Sequence, residues 1–144
     1  MLAKQIINLE QVLKDNYLRK VDVAVFSRDG SCDSVYLRYG HVVGNYKRGH
    51  QMKYDGKIVR IVAQGLGNVS KQFALYKWTI GSGLATALFS FSLDGNVNLG
   101  TYDSDNDASF SEINLNKYDI ISCRALAAGT AVIDPIVWVI VIYD

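Results

Sequence analysis

Hydrophobic positions follow two rhythms along this chain. Over the first twenty residues, Leu2, Ile6, Leu9, Leu13 and Tyr17 recur at helical spacing, with Lys4, Gln5, Glu10, Gln11, Lys14 and Asp15 mostly off that stripe. The spacing predicts a short N-terminal helix or arm over residues 1–20. An extended arm is the alternative, since "IINL" is a weak helix former. A single helix of this length is marginal alone in water, so it needs a surface to pack on. That surface is the body of its own domain, a neighbouring subunit or a larger assembly.

From residue 21 the rhythm becomes that of short strands separated by Gly-Asn-Asp turns. "VDVAVFS" (21–27) alternates Val21, Val23 and Val25 against Asp22 and Ala24. Further β-rich runs are "VYLRYGHVV" (35–43), "KIVRIVAQ" (57–64) and "KQFALYKWTI" (71–80). "TALFSFSLDG" (86–95) puts Ala87, Phe89, Phe91 and Leu93 on one face. "GNVNLGTY" follows so closely that a hairpin through "DGN" is expected. "SEINLNKYDIISCRAL" (111–126) holds two strands with a kink near "NKYD". Eight or nine strands near ten-residue intervals, with no second helical stripe, predict an all-β antiparallel β-sandwich of jelly-roll-like form over residues 21–144.

The last run, "IVWVIVIY" (136–143), does not alternate. Parity separates Ile136, Trp138, Ile140 and Ile142 from Val137, Val139, Val141 and Tyr143, and both sets are apolar. A sandwich strand has one inward face. The second must meet something else: the N-terminal segment, a long loop or another copy of the chain, the last being preferred. The expected oligomer interface is Val137, Val139, Val141 and Tyr143.

Composition narrows the function classes. The 144 residues carry 15 Lys and Arg against 14 Asp and Glu, a net charge of +1, which argues against nucleic-acid binding. No run is long enough to span a bilayer as a helix, and no leader is visible. Cys32 and Cys123 are too few for a disulfide framework or a zinc site and read as free thiols, Cys123 pointing inward with Ile121 and Ala125. Nine Tyr suit surfaces that meet proteins or sugars, and Tyr36, Tyr39, Tyr46, Trp78 and Tyr102 have no obvious core role.

Candidate chemistry is sparse. Asp103, Asp105 and Asp107 alternate as in calcium loops, but Ala108 stands where an EF-hand needs glycine and Asn114 where it needs glutamate. They are candidate metal ligands, with a hydrated loop as the plainer reading. His41 and His50 read as structural, and no nucleophile-histidine arrangement can be argued from spacing. "GLGN" and "GSGL" precede no helix and cradle no phosphate. The basic-aromatic run 45–54, with Lys47, Arg48, His50 and Lys53, reads as a solvated loop. No cofactor and no catalytic residue is expected.

Three segments carry a resemblance: "YDGKIVRIVAQ", "FALYKW" and "FSEINLNKYDIISCRALAAGTAVIDPIVWVIVIYD". They are similar to small jelly-roll domains of bacteriophage virions, in which a turn and "G-x-I" open a strand. In that pattern a later lysine, glycine and aspartate lead into another strand, an "A-G-T" turn and a last apolar strand. The matching positions are Gly56, Ile58, Leu115, Lys117, Asp119, Ile121 and Ala128 to Thr130, and the pattern usually has glycine where Tyr118 stands. The resemblance covers about residues 54–144. It implies a non-enzymatic virion protein, a capsid decoration, head-fibre or tail-fibre-head domain assembled as a homotrimer. Its partner would be a major capsid or other virion protein, and Leu2, Ile6, Leu9 and Leu13 would be the anchoring stripe. The alternative is a carbohydrate-binding module recognising a host-surface glycan through the Tyr/Trp surface and the 103–107 loop.

Overall fold

A computed structural model describes residues 9, 20–40, 42, 44–66, 71–93, 99–129 and 132–144. The chain is an antiparallel β-sandwich of two sheets. Sheet A runs β10 (Ile113–Leu115), β6 (Gly56–Leu66), β12 (Val132–Tyr143), β1 (Val21–Ser27) and β4 (Arg38–Tyr39). The short β2 (Ser31–Cys32) pairs with β12, and β9 (Leu99–Asp103) pairs with β6. Sheet B runs β3 (Val35–Tyr36), β11 (Ile120–Gly129), β7 (Lys71–Trp78) and β8 (Thr86–Leu93), with β5 (His50–Gln51) also on β11.

The core is filled by alternate residues of the long strands: Ile58, Ile61 and Ala63 from β6, Val137, Val139 and Val141 from β12, Phe73 and Leu75 from β7, and Ile121, Cys123 and Ala125 from β11. Cys123 is inward, and both cysteines are free. Several buried strand positions and two turns set this framework. Ile58, Leu115, Asp119 and Ile121 are buried. Gly56 lies against β12, where a Cβ would come within 2.5 Å of the Ile142 carbonyl oxygen. Tyr118 adopts φ +74°, a conformation that costs most residues roughly 1–2 kcal/mol and glycine almost nothing. The Asn116–Asp119 turn holds it there: Asp119 Oδ2 accepts from Asn116 N at 2.8 Å, and Tyr118 N donates to Met52 O at 2.9 Å.

Three sequence expectations change. β8 and β9 are not a hairpin: β8 pairs with β7 in sheet B, and β9 with β6 in sheet A. The reason is aromatic packing: Phe91 stacks on its sheet B neighbour Phe73 at 5.5 Å and meets Tyr102 of β9 across the gap at 5.1 Å, while Phe89 sits edge-on to Phe110 at 5.2 Å. Alternation also runs opposite to polarity in β1. Asp22, Ala24 and Phe26 point into the sandwich, and Val21, Val23 and Val25 point out.

The third change concerns β12. Val137, Val139 and Val141 have no exposed surface, and Tyr143 is nearly as buried, all within one protomer. They face sheet B, so they are core and not the expected oligomer interface. The open face of the strand carries the other parity set. Of the anchoring stripe, Leu9 is 60% exposed, while Leu2, Ile6 and Leu13 lie outside the described residues.

Candidate functional site

The outer face of sheet A is an aliphatic surface. β1 contributes Val21, Val23 and Val25, exposed to 50%, 45% and 40%. In the ladder these stand opposite Ile142, Ile140 and Trp138 of β12, each half-buried. Trp138 in turn stands opposite Val62 of β6, and Ile136 opposite Gln64. β1 and β12, with Val62 of β6 beside Trp138, thus present adjacent aliphatic side chains and one indole on one face, an apolar patch of the kind that marks interaction surfaces. β4 pairs with β1 only at Phe26 and Ser27. Among the described residues no strand pairs β1 over residues 21–25 on the side away from β12, which leaves that edge of the strand without a partner of the kind a sheet edge recruits.

A charged rim borders the field on its other side. Val59, Arg60, Asp103, Ser104, Asp105, Glu112, Ile140 and Ile142 line a shallow cleft of about 310 Å³. Arg60 Nε donates to Asp103 Oδ2 at 2.8 Å, and Lys57 pairs with Glu112 at 2.6 Å. Here the acidic cluster reads differently from a calcium loop. Asp103 Oδ1 accepts from the backbone of Asp105 at 3.0 Å and of Asn106 at 2.9 Å, and from the Asn106 amide at 2.9 Å. Burial alone would raise the Asp103 pKa, but these amides and Arg60 outweigh it and lower it. Asp107 Oδ1 accepts from Ser109 N and Oγ, at 2.8 and 2.6 Å. The carboxylates are spent on shaping their own turn. Among the described residues, no three His, Cys, Asp or Glu side chains are grouped to hold a metal ion, so the candidate set Asp103, Asp105 and Asp107 is not brought together as ligands.

The opposite surface, the outer face of sheet B, is aromatic and cationic. Tyr36 and Tyr76 meet with centroids 6.2 Å apart, and the Arg124 guanidinium lies 5.5 Å over Tyr36. Lys47 Nζ lies 5.3 Å from the Tyr46 ring and 5.5 Å from the Trp78 ring. Three of the five aromatics that lacked a core role thus gather here: Tyr36, Tyr46 and Trp78. The other two do pack inward, Tyr39 against Phe26 at 5.7 Å and Tyr102 against Phe91. In the basic run, Lys47 and Arg48 are exposed whereas His50 is buried.

His50 belongs to a constellation that sequence spacing could not show. Tyr39 OH is 2.9 Å from His50 Nδ1, His50 Nε2 is 3.5 Å from Asp22 Oδ2, and Tyr143 OH donates to Asp22 Oδ2 at 2.8 Å. Burial lowers the His50 pKa, opposed by Asp22, which raises it, and assisted by Lys53, which lowers it further. Burial and the bond to Asp22 push the Tyr143 phenol up to about 12. A histidine between a phenol and a carboxylate has the ingredients of a proton relay. A relay also needs a substrate beside it, and His50 is 4% exposed. The group ties β1, β5 and the end of β12 together inside the sandwich. The one signal in sequence was Asp22 itself, a carboxylate on the same parity as Ala24 and Phe26. His41 lies outside the described residues.

No protein-family model matches the chain. No curated protein matches it in sequence either.

Proposed function

We propose that this protein is a non-enzymatic structural subunit that assembles with copies of itself through the outer face of sheet A. The observation that carries this reading is the apolar field of Val21, Val23, Val25, Trp138, Ile140 and Ile142, beside an edge of β1 that no strand pairs among the described residues. Burying each such side chain is worth roughly 1.5–3 kcal/mol for full transfer from water. Even the exposed fraction, summed over these six side chains, favours a covered state. The patch also has the anatomy of an interface, an apolar centre bounded by the ion pairs of Arg60 and Lys57.

The resemblance of residues 54–144 to phage virion jelly rolls supports the setting: a homotrimeric capsid decoration or fibre-head protein, located in the virion and docked on a major capsid or other virion protein. The N-terminal stripe Leu2, Ile6, Leu9 and Leu13 is the proposed anchor. Light scattering on the full chain tests the assembly. A trimer of 16.0 kDa protomers elutes at roughly 48 kDa. A 16.0 kDa species at every concentration overturns the reading, because the face is then covered by the chain's own N-terminal segment or left to another partner.

A further inference from the structure

We propose that the outer face of sheet B binds an acidic saccharide, one carrying a carboxylate on a pyranose ring. This inference stands apart from the assembly reading, which uses the opposite sheet.

The argument starts from strand parity. In β7, Phe73 and Leu75 fill the core, so Tyr76 and Trp78 stand outward. In β11, Ile121, Cys123 and Ala125 are core, so Ser122 and Arg124 stand outward, opposite Tyr76 and Ala74. β3 adds Tyr36, opposite Arg124, and the turn at residues 45–48 folds Tyr46 and Lys47 over the same side. The tyrosine and tryptophan rings are half-buried, which leaves aromatic surface facing solvent. Aromatic faces carry partial negative charge. They complement the C–H face of a pyranose, whose hydrogens are the positive ends of its bonds.

Two further features select an acidic sugar. The cations Arg124 and Lys47 lie directly among the rings. The outward positions of β3, β7 and β11 among the described residues include no Asp or Glu to neutralise them. A guanidinium meets a carboxylate with two parallel hydrogen bonds, so Arg124 is suited to orient the acid group while Tyr36 and Tyr76 hold the ring. The second feature is unspent hydrogen-bonding capacity. Ser122 Oγ and Arg124 Nε are buried without a hydrogen-bond partner, and Ser122 is 1% exposed. A buried polar group left unpaired costs about 1–3 kcal/mol. Polar atoms with unmet demand, on the residues opposite Tyr76 and Tyr36, fit a ligand rich in hydroxyls. A single-stranded nucleic acid would also stack on such rings, but it needs cations along its whole track. A net charge of +1 over the whole chain favours the smaller anion.

The chain contains two tryptophans, and they report on opposite faces: Trp78 on sheet B, Trp138 on sheet A. The test is an NMR titration of the ¹⁵N-labelled full chain, following both indole N–H signals. The probes are 3′-sialyllactose, trigalacturonate, neutral lactose and an oligothymidylate. The Trp78 signal is expected to move with one or both acidic sugars and the Trp138 signal to stay. Lactose should bind at least about tenfold more weakly, as expected for loss of a charge-assisted contact. Lys47→Gln, at an exposed position that leaves folding alone, should weaken sugar binding about threefold to tenfold. Arg124→Gln should weaken it further. The proposal is overturned if Trp78 is unmoved by both acidic sugars, if lactose binds as well as they do, or if the oligothymidylate binds more tightly. None of these results depends on whether the chain is a trimer.

Discussion

The two outer faces of this sandwich occupy equivalent places in one architecture and carry different chemistry. Sheet A presents valine, isoleucine and one tryptophan in a mostly aliphatic field whose ion pairs lie along its rim. Attraction there scales with area and has no direction, so it rewards a large, flat, equally apolar partner. Sheet B presents tyrosines, a tryptophan, cations set against the rings and a buried hydroxyl. Attraction there is directional and strongest for a small ligand with matching polar groups. The contrast shows that exposure alone does not define a site. What the exposed atoms can offer decides whether a face suits a subunit or a ligand.

The sharpest break of the comparison is to move a charge between the two sides of one sheet. Val139→Asp places a carboxylate in the dry core with no partner, at a cost of several kcal/mol, and should abolish the cooperative thermal transition. Val23→Glu places the same chemistry on the outer face. It should keep the transition and convert the assembly to 16.0 kDa protomers by light scattering. A Val23→Glu protein that stays assembled would remove sheet A from the interface.

A smaller effect comes from the joint behind β1. The His50 pKa is lowered in the folded state, so the unfolded chain binds the proton more readily. The stability linked to His50 is therefore complete above pH 6.5, the ordinary histidine value, and is lost as pH falls below it. Asp22, Tyr39, Tyr143 and Lys53 are the groups facing that imidazole. Urea titrations between pH 7 and 5 should show the decline, and His50→Gln should flatten it. Because Asp22 lies between Val21 and Val23, acid should loosen assembly while the Trp78 face keeps its ligand. The smallest effect is Tyr118→Gly, which relieves the left-handed turn and should raise stability by up to about 1 kcal/mol in the same titrations. Neither outer face should respond to it.

Much of the fold was legible in the chain. Strands at residues 21–27, 57–64 and 71–80, the kink at "NKYD" and the inward Cys123 all follow from local pattern, because a strand's side chains alternate whatever surrounds it. The turn before β6 and the turn before β11 were legible for the same local reason. Gly56 stands where a Cβ would meet the Ile142 carbonyl oxygen, and Tyr118 stands at a left-handed turn position that favours glycine. The candidate sites were legible only in part. Tyr36, Tyr46 and Trp78 stood out as aromatics without a core role, but their meeting on one face needed three strands and a turn to be placed together. The β8–β9 pairing failed because adjacency in sequence competed with aromatic packing between sheets, which no short window contains.

The sequence by itself determined that both faces of the last strand are apolar and that Val137, Val139, Val141 and Tyr143 share one of them. Which set is core was decided by the tertiary structure alone. Parity is a property of one strand, whereas inward and outward exist only once a second sheet covers one side. The same rule governs Asp22, which turns inward against the polarity of its strand because His50 and Tyr143, remote in the chain, meet it there.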